Sequence, residues 1–306
     1  MLRSQGFKKR SIEETPEYPR HDCEDGVGPL LEMPQICVGT AQYDRESPRS
    51  IKRVLANALA EGYRHIDGAE AYGGTDFRRA VGEALATSGI VRHEIWITWK
   101  SDSITPEGIS TQIADLGCGY IDLFLVHHGC GTPKDFLALQ AAMVAGQIRR
   151  FGVSNCWSVE TLRKLKATYG IFANQIQAVL PGGRIENQDR RPDRFIEVCN
   201  ELDIAVMLYA TISGTSNALI ELMEDPKLFE HSMHLTSYIP KLNRYYTQTY
   251  IIGTRNVLMV GSLSGSSLGI NMREFKNTLN GIDILNKKEM KEISDELKPV
   301  VIQAMN

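Results

Sequence analysis

Long apolar runs are missing from this 306-residue sequence. No stretch approaches the roughly 18 consecutive apolar residues that a membrane-spanning helix needs. The first residues, Met1 to Gly6, also lack the apolar segment of a secretory signal. We therefore expect a cytoplasmic protein with no membrane partner.

An excess of basic residues is missing too. The chain has 34 lysines and arginines against 37 aspartates and glutamates, so its formal net charge is -3. Proteins that follow nucleic-acid phosphates usually carry clustered positive charge. The one short basic cluster is Lys8, Lys9 and Arg10. The sequence therefore predicts no nucleic-acid partner.

Paired cysteine motifs are the third absence. The six cysteines are widely spaced and form no C-x-x-C motif, so neither a disulfide framework nor a zinc site is predicted. No other metal site is predicted. We expect the cysteines to be reduced and to pack as small apolar side chains. They are Cys23, Cys37, Cys118, Cys130, Cys156 and Cys199.

The chain alternates short apolar runs with helix-like segments. Residues 1–25 are polar and aperiodic, which predicts a disordered N-terminal arm, and residues 28–33 resemble a short hairpin. From residue 26 to 306 we expect a single domain. Its eight predicted strands are nearly continuous in apolar character, which is typical of parallel strands buried on both faces. They cover residues 35–38, 63–67, 94–99, 121–126, 150–153, 175–179, 204–209 and 257–260.

Eight strands alternating with helices predict a (β/α)8 TIM barrel. Helical spacing is clearest over 50–61, 134–145 and 159–169, and a last helix is expected over 288–305. The alternative is a doubly wound sheet. That fold favours a G-x-G-x-x-G turn after the first strand, whereas this chain has GTAQY over 39–43.

Polar residues stand at the ends of three successive strands. Asp67 ends the second strand, Lys100 follows the third, and His127 follows the fourth. Tyr72 lies five residues beyond Asp67. Catalytic groups of (β/α)8 barrels lie at this end of the strands, so we expect these four side chains to converge.

The four side chains suggest proton transfer to or from an oxygen. A lysine ammonium next to a tyrosine lowers the tyrosine pKa, and a carboxylate keeps that ammonium charged and in place. A histidine can hydrogen-bond the same oxygen. The set has no second carboxylate, no activated nucleophile and no metal ligands. It is suited to a carbon that exchanges a hydride with a cofactor.

The same residues carry a family resemblance. The segment GYRHIDGAEAY over 62–72 resembles the signature of the aldo-keto reductases, and IDLFLVH over 121–127 and GVSN over 152–155 support it. The resemblance continues through Asn174, Gln175 and Tyr209. It implies an NAD(P)H-dependent, monomeric oxidoreductase that reduces aldehydes or ketones. Tyr72 would be the acid, Lys100 and Asp67 would tune it, and His127 would orient the carbonyl.

The resemblance also implies cofactor-binding residues. Ser154, Asn155 and Gln175 match positions that bind the nicotinamide carboxamide, and Tyr209 matches the ring that stacks on the nicotinamide. Thr40, Ser262 and Asn271 complete the predicted set, with Asn271 at the adenine. The family binds NADPH more often than NADH.

Three features depart from the family pattern, and the first two alter the expected shape of the substrate site but not the four catalytic residues. Gly73 and Gly74 follow the acid and suggest a looser backbone, and Trp99 replaces a small residue before the lysine. The loop after the eighth strand, GSLSGSSLGIN over 261–271, lacks the usual cation for the adenosine 2′-phosphate unless Arg273 supplies it. NADPH is therefore the first expectation and NADH the alternative.

Two other functions are compatible with the same residues. One is a cofactor-sensing regulatory protein on the same fold, and the other is a Schiff-base aldolase that uses Lys100. The pair His127 and His128 is not assigned to a metal, because neighbouring strand residues point in opposite directions. His231 and His234 lack a third ligand.

Overall fold

Eight parallel strands pair in chain order and close into a barrel, with β1 hydrogen-bonded to β8. The computed structural model describes residues 32–41, 48–178, 192–211, 240–260, 268–282, 284–293 and 295. The predicted (β/α)8 barrel is confirmed. The strands are β1 Ile36–Gly39, β2 His65–Ala69, β3 Trp96–Ser101, β4 Ile121–Val126, β5 Ile148–Ser154, β6 Ala173–Gln177, β7 Ala205–Tyr209 and β8 Val257–Val260.

Helices follow the strands along the chain. The described α-helices are α1 Pro48–Ala60, α2 Thr75–Ala86, α3 Pro106–Leu116, α4 Pro133–Val144, α5 Val159–Tyr169, α6 Pro192–Glu201 and α7 Leu268–Leu279. Residues 240–246 and 287–293 are also helical. A π-helical turn spans Thr247–Ile251, and 3₁₀ turns span Glu70–Tyr72 and Arg92–Glu94. None of the described helices is long and apolar enough to cross a membrane.

Local sequence signals fix several helix ends. Thr132 and Asp135 form a reciprocal capping box at the start of α4, and Ser158 caps α5. Gly117 and Gly170 end α3 and α5 in the left-handed conformation, in which glycine meets no steric penalty. After these two glycines the chain turns into β4 and β6.

Six of the eight strands differ from the prediction by one or two residues at a boundary, and only β4 and β8 match it at both ends. β2 begins at His65 rather than at residue 63, because Tyr63 packs outside the sheet and its hydroxyl donates to the Leu268 carbonyl. β6 begins two residues earlier than predicted, at Ala173. Apolar character alone does not mark where the hydrogen-bonded ladder starts.

Several predictions fall outside the described residues. They are the arm over 1–25, most of the hairpin over 28–33, Ser262, and the last helix beyond residue 295. The domain boundary at residue 25 stays a prediction for the same reason.

Strand alternation divides the apolar core into two layers. An inner cluster fills the barrel and includes Trp96, Leu123, Leu125 and Met207. A larger outer cluster packs the strands against the helices. Because successive side chains of a strand face opposite sides, Lys100 of β3 points into the barrel while its neighbour Trp99 lies in the outer layer.

The prediction that all six cysteines are reduced is wrong for one pair. Cys130 and Cys156 form a disulfide between the loops after β4 and β5. The two cysteines are 26 residues apart in sequence, but β4 and β5 are neighbours, and an antiparallel bridge between Gly129 and Ser154 joins their loops. The described free cysteines are buried, as expected: Cys37, Cys118 and Cys199.

Candidate active site

The four predicted catalytic side chains meet at the end of the barrel where the strands terminate, called here the C-terminal mouth. β2 carries Asp67, β3 carries Lys100, and His127 directly follows β4. Tyr72 ends the 3₁₀ turn after β2. In the β2–β3 register Lys100 lies opposite Ala69, two residues beyond Asp67. This register therefore brings the Lys100 and Asp67 side chains to the same end of the barrel.

Lys100 and Asp67 form a buried ion pair. The Nζ of Lys100 contacts Oδ1 of Asp67, and the amide of Gln175 donates to Oδ2 at 2.7 Å. On the backbone side, the Thr40 amide and hydroxyl donate to the Asp67 carbonyl at 3.1 and 2.9 Å. Both carboxylate oxygens of Asp67 therefore have donors, and β1 and β6 hold the pair in place.

Burial and pairing act in opposite directions on the Lys100 ammonium. Burial alone would lower the pKa of Lys100, but the charges of Asp67 and Tyr72 and their hydrogen bonds outweigh it, so the pKa is raised. Burial also raises the pKa of Asp67, against the charge and hydrogen bonds that Lys100 and Gln175 supply. A charged lysine is the stable form in this site.

Tyr72 lies against the ammonium. The Nζ of Lys100 is 4.9 Å from the centroid of the Tyr72 ring. Burial raises the pKa of Tyr72, and the charge of Lys100 only partly opposes that rise. The predicted net lowering of the Tyr72 pKa is therefore wrong, because desolvation of the phenolate outweighs the ammonium. Tyr72 holds its proton through the neutral range.

Neighbouring contacts fix the turn that carries Tyr72. The Ser101 hydroxyl donates to Oε2 of Glu70 at 2.5 Å, which ties the turn to the end of β3. A Cβ on Gly73 would lie 2.5 Å from the Cβ of Phe77, whereas a Cβ on Gly74 would meet nothing within 4 Å. The predicted looseness after Tyr72 is therefore wrong at Gly73, where glycine permits close packing.

His127 is a neutral imidazole at the rim. Burial, helped by the charges of Lys100 and His128, lowers the pKa of His127 to about 4, and only Asp102 opposes this. Its ring meets the Tyr72 ring edge to face, with centroids 5.7 Å apart. A neutral histidine beside a protonated tyrosine gives the mouth two groups that can hydrogen-bond one substrate oxygen.

A second polar group lines the mouth at the ends of β5 and β7. Asn155 adopts a left-handed backbone with φ of 61°, and its side-chain amide donates to the Ser154 hydroxyl at 3.2 Å. The half-buried Tyr209 donates its hydroxyl to Oδ1 of Asn155 at 2.9 Å. The Tyr209 ring is thereby fixed with a flat surface next to polar groups.

A protein-family model decides which family these residues represent. The model of the Aldo/keto reductase family matches residues 35–255, which include β1 to β7 and end just before β8. The chain belongs to the aldo/keto reductase family. The resemblance inferred from residues 62–72 is confirmed.

Curated relatives of the aldo/keto reductase are moderately similar. An uncharacterized oxidoreductase of Schizosaccharomyces pombe is 27% identical over 230 residues, covering 65% of this chain and 66% of the relative. The NAD/NADP-dependent indole-3-acetaldehyde reductase of the same yeast is 33% identical over 167 residues, covering 49% and 57%. The chain thus matches less than two thirds of the length of these relatives.

Solved structures show the same fold. The aldose reductase of Giardia lamblia matches with a TM-score of 0.66 and 22% identity, covering 86% of this chain and 92% of that protein. A Bombyx mori aldo-keto reductase in complex with NADP matches with a TM-score of 0.62 and 22% identity, covering 87% and 92%. At this identity the likeness concerns the barrel itself.

Of the residues expected at the adenosine end of the cofactor, Asn271 is buried and Arg273 is exposed in this aldo/keto reductase. Asn271 is completely buried, and its Oδ1 accepts a 2.8 Å hydrogen bond from Asn243. The expected contact of Asn271 with adenine stays a prediction. Arg273 is two-thirds exposed, with its Nε 3.7 Å from Glu274, and Ser262 lies outside the described residues.

Trp99 does not shape the mouth, contrary to the expectation that it alters the substrate site. Its side chain is buried in the outer core, and its Nε1 donates to Oε1 of Gln112 at 2.6 Å. A Cβ on Gly68 would lie only 2.2 Å from the Trp99 ring. The large indole replaces a small residue because glycine stands beside it on β2.

Sequence reasoning missed two contributors to the site and one role of a residue that it had predicted. Gln175 donates to Asp67, a role that appears only once the barrel closes. Glu70 holds the tyrosine turn. Asp102 hydrogen-bonds His128 at 2.6 Å and lies 3.6 Å from Nδ1 of His127. An acid one to two residues past the end of β3 is the signal that could have identified Asp102.

Proposed function

We propose that this aldo/keto reductase reduces aldehydes or ketones to alcohols with NAD(P)H, and that Tyr72 is the proton donor. The observation that carries the proposal is the buried contact of Lys100 with both Asp67 and Tyr72. Such an arrangement holds a charged ammonium beside a protonated phenol. It supports acid catalysis by a group that is otherwise too weak an acid.

Tyr72 can donate its proton and then recover one. The O–H bond of Tyr72 breaks as an O–H bond forms on the substrate oxygen, which leaves a phenolate beside the Lys100 ammonium. The ammonium stabilises that phenolate in a site with little water, where a charge interaction is strong. Asp67 keeps the ammonium charged and aimed, and solvent returns a proton to Tyr72 before the next turnover.

His127 would orient the carbonyl. Because its pKa is about 4, the ring is neutral at physiological pH and can donate one N–H hydrogen bond. Its edge-to-face contact with Tyr72 directs both side chains at the same oxygen. The pair would fix the carbonyl between two hydrogen-bonding groups.

The polar group at β5 and β7 fits a nicotinamide. Ser154 and Asn155 offer hydroxyl and amide groups to a carboxamide, while the fixed ring of Tyr209 offers a stacking surface. Gln175 would share its amide between the carboxamide and Asp67, and Thr40 acts through its hold on the Asp67 backbone. A bound nicotinamide supplies the hydride.

NADPH is the proposed cofactor and NADH the alternative. A Bombyx mori relative is described with NADP, and a Schizosaccharomyces pombe relative is named as NAD/NADP-dependent. Ser262, with the amides around it, is the proposed phosphate contact. Asn271 would reach an adenine only after its bond to Asn243 opens.

We further infer a small-molecule carbonyl substrate, a monomer and a cytoplasmic location. Membership of the aldo/keto reductase family supports a small carbonyl substrate. The Cys130–Cys156 disulfide is the feature that argues against this location, because disulfides rarely persist in a reducing cytoplasm. Sedimentation velocity with and without reductant tests the monomer.

A fluorescence titration with NADPH and NADH, followed by a panel of aldehydes and ketones, tests the proposed activity. We expect saturable binding of at least one cofactor and oxidation of that cofactor when a carbonyl is added. Binding that is never followed by turnover would overturn the reductase in favour of a cofactor-sensing protein. Borohydride trapping of substrate on Lys100 would instead support the aldolase.

A further inference from the structure

A cluster of two histidines and one aspartate lies at the rim of the C-terminal mouth. Nδ1 of His128 is 2.6 Å from Oδ1 of Asp102, and Nδ1 of His127 is 3.6 Å from Oδ2. One potential ligand atom from each residue lies within 4.8 Å of the others. Three groups that bind metals thus share one small volume.

His127 and His128 can face the same side because neither lies within a strand. Opposite orientation of neighbours applies within a strand, but β4 ends at Val126 and both histidines lie in the bend that follows. Their rings stack with centroids 4.2 Å apart and an interplanar angle of 28°. Both rings therefore lie next to Asp102.

The Nδ1 atom of His127 supplies a second, independent observation. The His127 side chain is only 10% exposed, and its Nδ1 is buried with no hydrogen-bond partner among the residues that the structure describes. A buried polar atom without a partner carries an uncompensated desolvation cost. This atom points at the Asp102 carboxylate, in the volume that the cluster encloses.

We propose that Asp102, His127 and His128 bind one divalent transition-metal ion such as Zn²⁺ or Co²⁺. Two imidazoles and a carboxylate suit these borderline ions and leave positions for water, whereas Mg²⁺ and Ca²⁺ prefer all-oxygen ligands. The ion would satisfy the orphaned nitrogen of His127. It would also replace the hydrogen bond between His128 and Asp102.

Two of the distances in the cluster lie near those between the ligand atoms of a zinc site. Zn²⁺ binds imidazole nitrogen and carboxylate oxygen at about 2.0 to 2.2 Å, so tetrahedral ligand atoms stand about 3.4 Å apart. The present separations of 2.6 and 3.6 Å lie on either side of that value. Side chains of Asp102 and His128 are 50% and 67% exposed, so an ion can enter from solvent.

The charges around the cluster allow a cation to bind there. Lys100 acts on His127 and would repel the ion, but its charge is compensated by Asp67. Asp102 supplies a negative charge at the site itself. The loop that carries His128 is also held by the disulfide at Cys130, two residues further on. The ligands therefore stand on an anchored segment.

A bound metal ion would define which ring nitrogen of His127 carries the proton. The catalytic consequence rests on the proposed function. Nδ1 faces the cluster, so a metal there leaves the proton of the neutral ring on Nε2. Nε2–H is then the group available for a carbonyl oxygen. The ion would act as a positioning group outside the reacting atoms.

Calorimetric titration with Zn²⁺ and visible absorption of Co²⁺ test the site without cofactor or substrate. We expect one ion per chain and Co²⁺ bands of a nitrogen- and oxygen-ligated site. His128→Ala and Asp102→Asn should each weaken binding by at least about tenfold. Both substitutions change half-exposed or exposed side chains, and circular dichroism verifies that each variant folds.

Two control variants make the result specific. His93 is exposed on the 3₁₀ turn Arg92–Glu94, far from this cluster in sequence, and His231 belongs to the other close histidine pair of the chain. His93→Ala and His231→Ala should bind Zn²⁺ like the original protein. No binding, or a loss in His231→Ala with none in His128→Ala, would overturn the proposal while leaving the reductase assignment untouched.

Discussion

Lys100 and Asp67 are in direct contact inside the barrel, and each side chain is only about 1% exposed. A buried ion pair is retained at a cost in desolvation. Here each partner also has a second contact, Tyr72 for the lysine and Gln175 for the aspartate. The pair therefore links the acid to the barrel wall.

Breaking this pair should destabilise the fold. Asp67→Asn leaves a buried ammonium without a counter-charge, and Lys100→Met leaves a buried carboxylate, so each should lower the free energy of unfolding by about 3 to 5 kcal/mol. The double variant removes both charges and should recover much of that loss without recovering turnover. Urea unfolding and a carbonyl assay on all three variants check this. Single variants as stable as the original protein would show that the charges are not confined as described.

The pH dependence of reduction should follow Tyr72. Because burial raises the pKa of Tyr72 above its ordinary value, the acid form persists through neutral pH and is lost only in strongly alkaline solution. We expect kcat/KM for the carbonyl to be level between about pH 6 and 9 and to fall only above about pH 10. A fall centred near neutrality would assign the proton to another group.

The close approach of Gly68 and Trp99 should be sensitive to one methyl group. Gly68→Ala places a Cβ within 2.2 Å of the indole, and such overpacking costs about 1 to 3 kcal/mol. Trp99→Phe in the same chain should relieve part of it. Gly74→Ala is the matched control, because a Cβ there meets nothing within 4 Å. Equal thermal midpoints for Gly68→Ala and Gly74→Ala would contradict the packing.

The catalytic set could be predicted from the sequence because barrel geometry brings strand ends together. Asp67, Lys100 and His127 each mark one strand end, so their convergence needed only the correct fold class. The net effect on the Tyr72 pKa could not be predicted in the same way. The net effect depends on how far folding removes water from the Tyr72 phenol, and this burial cannot be read from the sequence.

Contacts between loops were harder to predict for a related reason. The disulfide of Cys130 with Cys156 and the cluster of Asp102 with His127 both join segments that follow neighbouring strands. Residue spacing gives the order of the strands, but it does not give the path of each loop beyond them. The same limit explains why Trp99 was expected to alter the substrate site: the outward direction of its side chain depends on the strand register.

The disulfide should stabilise the oxidised protein measurably. For a loop closed over 26 residues, the chain-entropy estimate is about 3 kcal/mol. Reductant should therefore lower the urea midpoint of the original protein and have no effect on the double variant Cys130→Ser with Cys156→Ser. Free-thiol titration of the denatured chain verifies the oxidation state. An original protein whose midpoint ignores reductant would contradict the bond.

The most direct test of the account replaces the hydroxyl of Tyr72. Tyr72→Phe should lower kcat/KM for carbonyl reduction by about 100-fold to 10,000-fold, the range typical of a lost acid catalyst, while the affinity for NADPH stays the same. Tyr120→Phe is the control, because the Tyr120 hydroxyl has no hydrogen-bond partner in the described part of the chain and its ring lies between Arg92 and Arg149. It should leave both quantities unchanged. Turnover by Tyr72→Phe at the original rate would contradict the assignment of Tyr72 as the proton donor.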